Sequence, residues 1–192
     1  MVFLVSATLH DMNRCSWVNL KSQLYIDYHD TEWGVPVHND QKLFEFIVLE
    51  SAQAGLSWET ILNRREGYKK AFEKFNPKKV ALLTAKDVTR LRKDSRIIRN
   101  RLKIDATITN AQRFLKIQKE FGSFSKYLWQ WIRLKEKPQE IAKLLAKDMR
   151  KRGFRFFGPT TCYAYMQAIG MVNDHAKNCF KYKKSSVGKT HV

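Results

Sequence analysis

Asp40-Gln41-Lys42-Leu43-Phe44-Glu45-Phe46-Ile47-Val48-Leu49-Glu50-Ser51-Ala52-Gln53-Ala54-Gly55-Leu56-Ser57-Trp58 is the stretch that decides the fold. Apolar residues occupy nearly every face of its first two-thirds, which marks a helix buried in a core rather than one lying on a surface. Asp40 is read as its cap, Gly55 as the residue that ends it, and Ser57 as the cap of a second helix running from Trp58 to about Phe72. A helix that must be covered on all sides needs further helices around it, and the rest of the chain supplies them. Asn76-Pro77 reads as cap plus first-turn proline. Thr84 with Asp87 three residues on is a capping box, and a long amphipathic helix follows Ser95–Lys103 and reaches about Glu120. Phe124–Ile132 and residues 139–152 give two more helices, and Gly158-Pro159 opens a last one, Cys162–Ile169, stopped by Gly170. No strand pattern and no internal repeat interrupts this, so the expected class is all-α.

One polar residue breaks the apolar helix. Glu50 lies three residues after Ile47 and seven after Leu43, on the stripe that continues to Ala54. A carboxylate buried there is costly unless it is paired or serves a ligand. Around it in sequence stand Trp17, Tyr25, Tyr28, Trp33 and Trp58. Aromatic rings build cores more often than pockets, and a structural ion pair would also account for the acid. A carboxylate ringed by aromatic faces, however, suits a planar cation; nucleobases are planar, and alkylated purines can be cationic.

The chain is strongly basic, with 36 Lys and Arg against 18 Asp and Glu and a formal charge of +18 over 192 residues. Such a field attracts polyanions and favours phosphate neutralisation. Arg96, Arg99, Arg101 and Lys103 crowd the connection before the long helix, where backbone amides and cations could meet a phosphate; a solvated charged turn fits the same residues. No run is long and apolar enough to span a bilayer, and Met1–Val5 is too short and lacks the basic start of a signal segment. The expected compartment is the cytoplasm, where the three cysteines stay reduced, so Cys and His together point to metal.

Cys15, His29, His175 and Cys179 form two pairs at opposite ends of the chain. His175 and Cys179 have the spacing of one face of a helical turn, and Asp174 is read as a candidate acceptor holding a ligand imidazole. Each pair alone also fits a packed thiol beside a hydrogen-bonded imidazole. If all four act together, two Cys and two His would fill a tetrahedron around zinc and leave no position for water, which would make the metal structural. Cys162, within an apolar helix, is read as a packed thiol.

Arg14-Cys15-Ser16-Trp17, Tyr25–Pro36, Leu49–Trp58 and Gly170–His175, in this order and spacing, resemble the DNA-3-methyladenine glycosylase I family over about residues 13–182. The resemblance implies a divergent helix-hairpin-helix DNA glycosylase that hydrolyses the bond between sugar and 3-methyladenine in double-stranded alkylated DNA. It implies one structural zinc on Cys15, His29, His175 and Cys179, joining the N- and C-terminal segments. It implies a base pocket with Glu50 as the catalytic residue, Tyr28 and Trp58 as base contacts, Trp17, Tyr25 and Trp33 as surrounding wall, and a hairpin at about Ser95–Lys103. A monomer is expected, with a flexible extension over residues 1–12, a helical core of about 40–170, a zinc subdomain from about 13–36 plus 171–182, and a disordered basic tail over 183–192. The sequence departs from the family in one extra residue between Cys15 and His29, placed in the loop around Asn19–Gln23, and in Ser51, where some members carry glycine. A non-catalytic zinc-stabilised DNA-binding module would explain the charge and ligands but not Glu50; a protein-interaction domain would explain only the helices.

Overall fold

The computed structural model describes residues 12–182; the tail at 183–192 and all but the last residue of the expected extension lie outside them. All regular secondary structure among the described residues is helical. Ten α-helices occur there: α1 (Gln23–Thr31), α2 (Asp40–Gln53), α3 (Trp58–Leu62), α4 (Arg65–Ala71), α5 (Pro77–Val80), α6 (Ala85–Leu91), α7 (Arg101–Phe121), α8 (Phe124–Trp129), α9 (Pro138–Lys151) and α10 (Pro159–Ala168).

Helix α2 runs through the middle, with Leu43, Phe44, Phe46–Ala52 all buried. It is covered by α3, α7, α8 and α10. Helix α9 packs along α10, and α5 lies against α7. Phe44 meets the edge of Phe114 on α7, which in turn stacks on Phe124 of α8 at 4.1 Å. An interior this apolar is held mainly by area removed from water.

Local signals explain most of the boundaries. Asn76 accepts from the amides of Lys78 and Lys79 beside Pro77, and Thr84 with Asp87 forms the expected box. Four expectations are corrected. Asn39, not Asp40, caps α2 by accepting from Lys42 N. The Asp40 carboxylate instead receives Phe124 N and Ser125 N, both at 2.8 Å, and so serves the start of α8. The helix expected from Trp58 to Phe72 breaks at Asn63-Arg64 into α3 and α4. Helix α1, capped by Ser22, had not been expected, and residues 175–179 form irregular turns rather than a helical turn.

The two ends of the described chain meet across Gly170. Gly34 N donates to Gln167 O and Val37 N to Ile169 O, so residues 34–37 run beside the end of α10. Gly170 has φ +73°, and a Cβ there would lie 2.5 Å from Pro36 N and Val35 C. Only glycine accepts both the left-handed backbone and that approach.

Candidate active site and metal centre

Glu50 is carried to the floor of a cavity of about 400 Å³ by the buried helix α2. Tyr25, Tyr28 and Trp33 come from α1 and the turn after it, Trp17 from the preceding loop, and Trp58 from the first residue of α3. All six sequence-predicted pocket residues therefore line one cavity. Tyr28 lies tilted on Trp58 with ring centroids 5.1 Å apart, and Trp17 packs edge-on to Trp33 at 4.9 Å. Gln53, Ala164, Gln167 and Asp174 complete the wall and were not singled out for it by sequence. The last three come from α10 and the turn beyond it, whose approach to α2 is a tertiary event with no local signal.

Glu50 is only 4% exposed and makes no hydrogen bond or ion pair among the described residues. Burial alone pushes its carboxyl up to about 8. Burial, and then the neighbouring Glu50, raises the Tyr28 phenol well above its ordinary value. The Trp58 indole N–H is likewise buried without a partner. Buried polar groups without partners cost stability, and Glu50 and Trp58 both line this cavity.

Beside the aromatic wall, Cys15, His29, His175 and Cys179 are all buried, and their ligand atoms lie within 4.8 Å of one another. Cys15 Sγ is 3.5 Å from His175 Nδ1, and Cys179 Sγ is 3.5 Å from His29 Nε2 and 3.6 Å from His175 Nδ1. Sulfur and nitrogen on neighbouring corners of a tetrahedron with bonds of roughly 2.3 and 2.05 Å lie about 3.5 Å apart. The four residues thus fit one divalent ion. Burial raises the Cys15 thiol to about 11 and lowers both imidazoles, His175 to about 4. The imidazoles are thus neutral and ready to ligate, whereas the buried thiol needs a cation to ionise.

The carboxylate that holds an imidazole of this cluster is Asp30, not Asp174. Asp30 Oδ1 lies 2.7 Å from His29 Nδ1 and the same carboxylate is gripped by Arg14. Burial would raise the Asp30 carboxyl, but the hydrogen bonds from Arg14 and His29 outweigh it and hold it low. Asp174 turns instead to Tyr163 and Gln167. Trp33 packs edge-on to His175 at 4.6 Å and Trp17 to His29 at 5.2 Å, so the Cys/His cluster and the pocket wall share a boundary.

The basic connection lies at residues 92–100, between α6 and α7. It seats on α4, where Gly67 has no side chain to keep it away: a Cβ there would stand 2.4 Å from Arg96 O. Tyr68 Oη accepts from Ile98 N. Arg96 is exposed and paired with Asp94, Arg101 lies 3.6 Å from Asp105, and Arg99 is exposed with no ion pair among the described residues. Lys103 departs from the expectation. Its ammonium donates to Ala52 O and Ala54 O at 2.8 and 2.7 Å, closing the C-terminus of α2.

The family model described as methyladenine glycosylase matches residues 17–182. DNA-3-methyladenine glycosylase of Haemophilus influenzae is 46% identical over 86% of this chain and 96% of its own length. DNA-3-methyladenine glycosylase 1 of Escherichia coli K12 is 44% identical over 89% of this chain and 97% of its own. A single-residue variant of 3-methyladenine DNA glycosylase I, solved in complex with 3-methyladenine, superposes with a TM-score of 0.84 at 37% identity, covering 90% of this chain and 99% of that one. With matches of that breadth along the chain, the chain belongs to the methyladenine glycosylase family.

Proposed function

We propose that this chain is a DNA repair enzyme that hydrolyses the N-glycosidic bond of 3-methyladenine in alkylated double-stranded DNA, with the base flipped into the pocket over Glu50. The observation that carries this reading is Glu50 itself: a buried carboxylate without a partner, on the floor of an aromatic cavity sized for a purine. A 3-methylated adenine nucleotide is cationic. Its arrival supplies the charge that burial withholds, drawing the Glu50 carboxyl back towards its ionised form. Unmodified adenine brings no such charge, so the pocket selects the lesion by electrostatics as well as by shape.

In this reading Glu50 accepts hydrogen bonds from the base edge, Tyr28 adds a polar contact and Trp58 stacks, while Trp17, Tyr25 and Trp33 exclude water from the rest of the ring. The C1′–N9 bond breaks with its electron pair passing to the base, which leaves neutral. Water bonds to C1′ and loses a proton to solvent. Because the leaving group is already activated, binding that favours the separating charges suffices without strong acid catalysis. No lysine is among the residues lining the pocket. A Schiff-base step is therefore not part of this account, and the enzyme is monofunctional.

Zinc is the ion we assign to Cys15, His29, His175 and Cys179. Four protein ligands leave no open position, so its role is to hold residues 13–36 and 171–182 together behind the aromatic wall. Helix α6, residues 92–100 and α7 are assigned as the helix-hairpin-helix element of one unit spanning 13–182. Its amides, with Arg96, Arg99 and Arg101, meet the DNA backbone; the exposed pairs of Arg96 and Arg101 cost little to open. The protein acts as a monomer in the cytoplasm, and no helix among the described residues is long and apolar enough to cross a membrane. A non-catalytic DNA-binding module is disfavoured by the orphaned Glu50. Chromatography of bases released from methylated DNA, with metal analysis of the same sample, tests both: 3-methyladenine and about one zinc per chain are expected. DNA binding without base release would favour the module.

A further inference from the structure

The cavity has a second carboxylate besides Glu50. Asp174 shares one wall with Ala164 and Gln167 of α10. It is exposed at the mouth, whereas Glu50 is sealed at the floor. Both of its hydrogen bonds fall on one oxygen: Oδ2 accepts from Tyr163 Oη and from Gln167 Nε2, the latter at 2.7 Å. Gln139 Nε2 in turn donates to Tyr163 Oη at 3.3 Å, tying the network to the first turn of α9. The other oxygen, Oδ1, accepts no hydrogen bond among the described residues, and no ion pair there compensates the charge.

This placement is costly for a protein of net charge +18 that is to receive a polyanion. A fixed negative charge at the mouth repels phosphate, so it fits only if the incoming group presents positive charge there. A flipped nucleotide has two positive regions during the reaction. The base cation goes to the depth of Glu50, and the sugar, still joined to the backbone, stays at the mouth.

We propose that Asp174 faces the deoxyribose of the flipped nucleotide and stabilises the positive charge that develops on its ring as the C1′–N9 bond breaks. The electron pair leaves with the base, water's oxygen takes its place on C1′, and the released proton passes to solvent; Asp174 acts by charge alone. Tyr163 and Gln167 are positioning residues that hold Oδ2 and thereby aim Oδ1. The proposal rests on the glycosylase reading above.

Asp174→Asn keeps an oxygen for the two donors and removes the charge. Single-turnover base release from methylated DNA is measured beside binding of free 3-methyladenine, followed by tryptophan fluorescence, and beside the melting temperature. Release is expected to slow about 10- to 100-fold, with free-base affinity and melting unchanged, because the free base carries no sugar. Asp174→Ala is expected to slow release equally, and Asp174→Glu to recover part of the loss. Asp174→Asn releasing base at the wild-type rate would overturn the proposal and leave the carboxylate a structural tie. A parallel loss of free-base affinity would overturn it too, since the residue would then act on the base. Wild-type protein that releases no base overturns the glycosylase reading together with this one.

Discussion

Lys103 Nζ lies 2.7 Å from Ala54 O and joins the first turn of α7 to the last residues of α2. Burial lowers the ammonium below its ordinary value, yet it satisfies two carbonyls that α2 would otherwise leave open next to the pocket. The residue that sequence reading placed on the DNA backbone is thereby bound to the helix that carries Glu50.

Lys103→Met should consequently destabilise the fold, by about 1–3 kcal/mol, through loss of charge-assisted bonds to two carbonyls at the end of α2. The slope of log affinity against log salt for duplex DNA should not change. Arg99→Gln, by contrast, should reduce that slope by about 0.9, the share of one phosphate, and leave melting unaffected. A reduced slope for Lys103→Met would show that its ammonium reaches phosphate after all.

Stability should depend on pH through Glu50. Its carboxyl titrates near 8 in the fold and at its ordinary value, 4.5, when unfolded. Between those values the folded state holds a proton that the unfolded state has lost, so stability falls as pH rises through the window. Glu50→Gln removes the penalty. The variant is expected to melt above wild type at pH 8.5, by an amount on the order of 2–4 kcal/mol, with the difference shrinking towards pH 5. A difference independent of pH would mean that the carboxyl is not held protonated by burial.

Asp30 fixes which nitrogen of His29 faces the ligand cluster. Asp30→Asn should weaken metal affinity about 10- to 100-fold, as measured by competition with a chromophoric chelator, and lower the melting temperature. Chelation of wild type should bring the two proteins to the same melting point, because the variant's deficit acts through the metal. A deficit that survives chelation would assign Asp30 to its ion pair with Arg14 instead.

Much of this architecture is legible along the chain. An all-round apolar helix has to be central, which is why Leu43–Ala52 located the core, and the anomaly of Glu50 within it located the pocket. The gathering of Cys15, His29, His175 and Cys179 was legible through the family resemblance rather than the pattern, since each pair alone also fits a packed thiol beside a hydrogen-bonded imidazole. What escaped notice involved partners distant in sequence. Asp40 resembles a cap for its own helix, but its oxygens are taken by amides 84 and 85 residues away. Helix α1 is short and mixes polar and aromatic residues, and its inner face serves both sites: Tyr25 and Tyr28 line the pocket, while His29, one turn beyond Tyr25, reaches the Cys/His cluster. Asp30 and Asp174 each stand directly after or before a ligand histidine, and only the fold shows that the first turns to the imidazole and the second to the cavity.

The central claim is that the Glu50 carboxylate recognises the cationic base. Its most direct measurement is the single-turnover rate of 3-methyladenine release from methylated duplex DNA by Glu50→Gln against wild type, at enzyme concentrations that saturate the DNA. The account predicts a slowing of about 100-fold, with duplex binding retained. Release by the variant at the wild-type rate would contradict it.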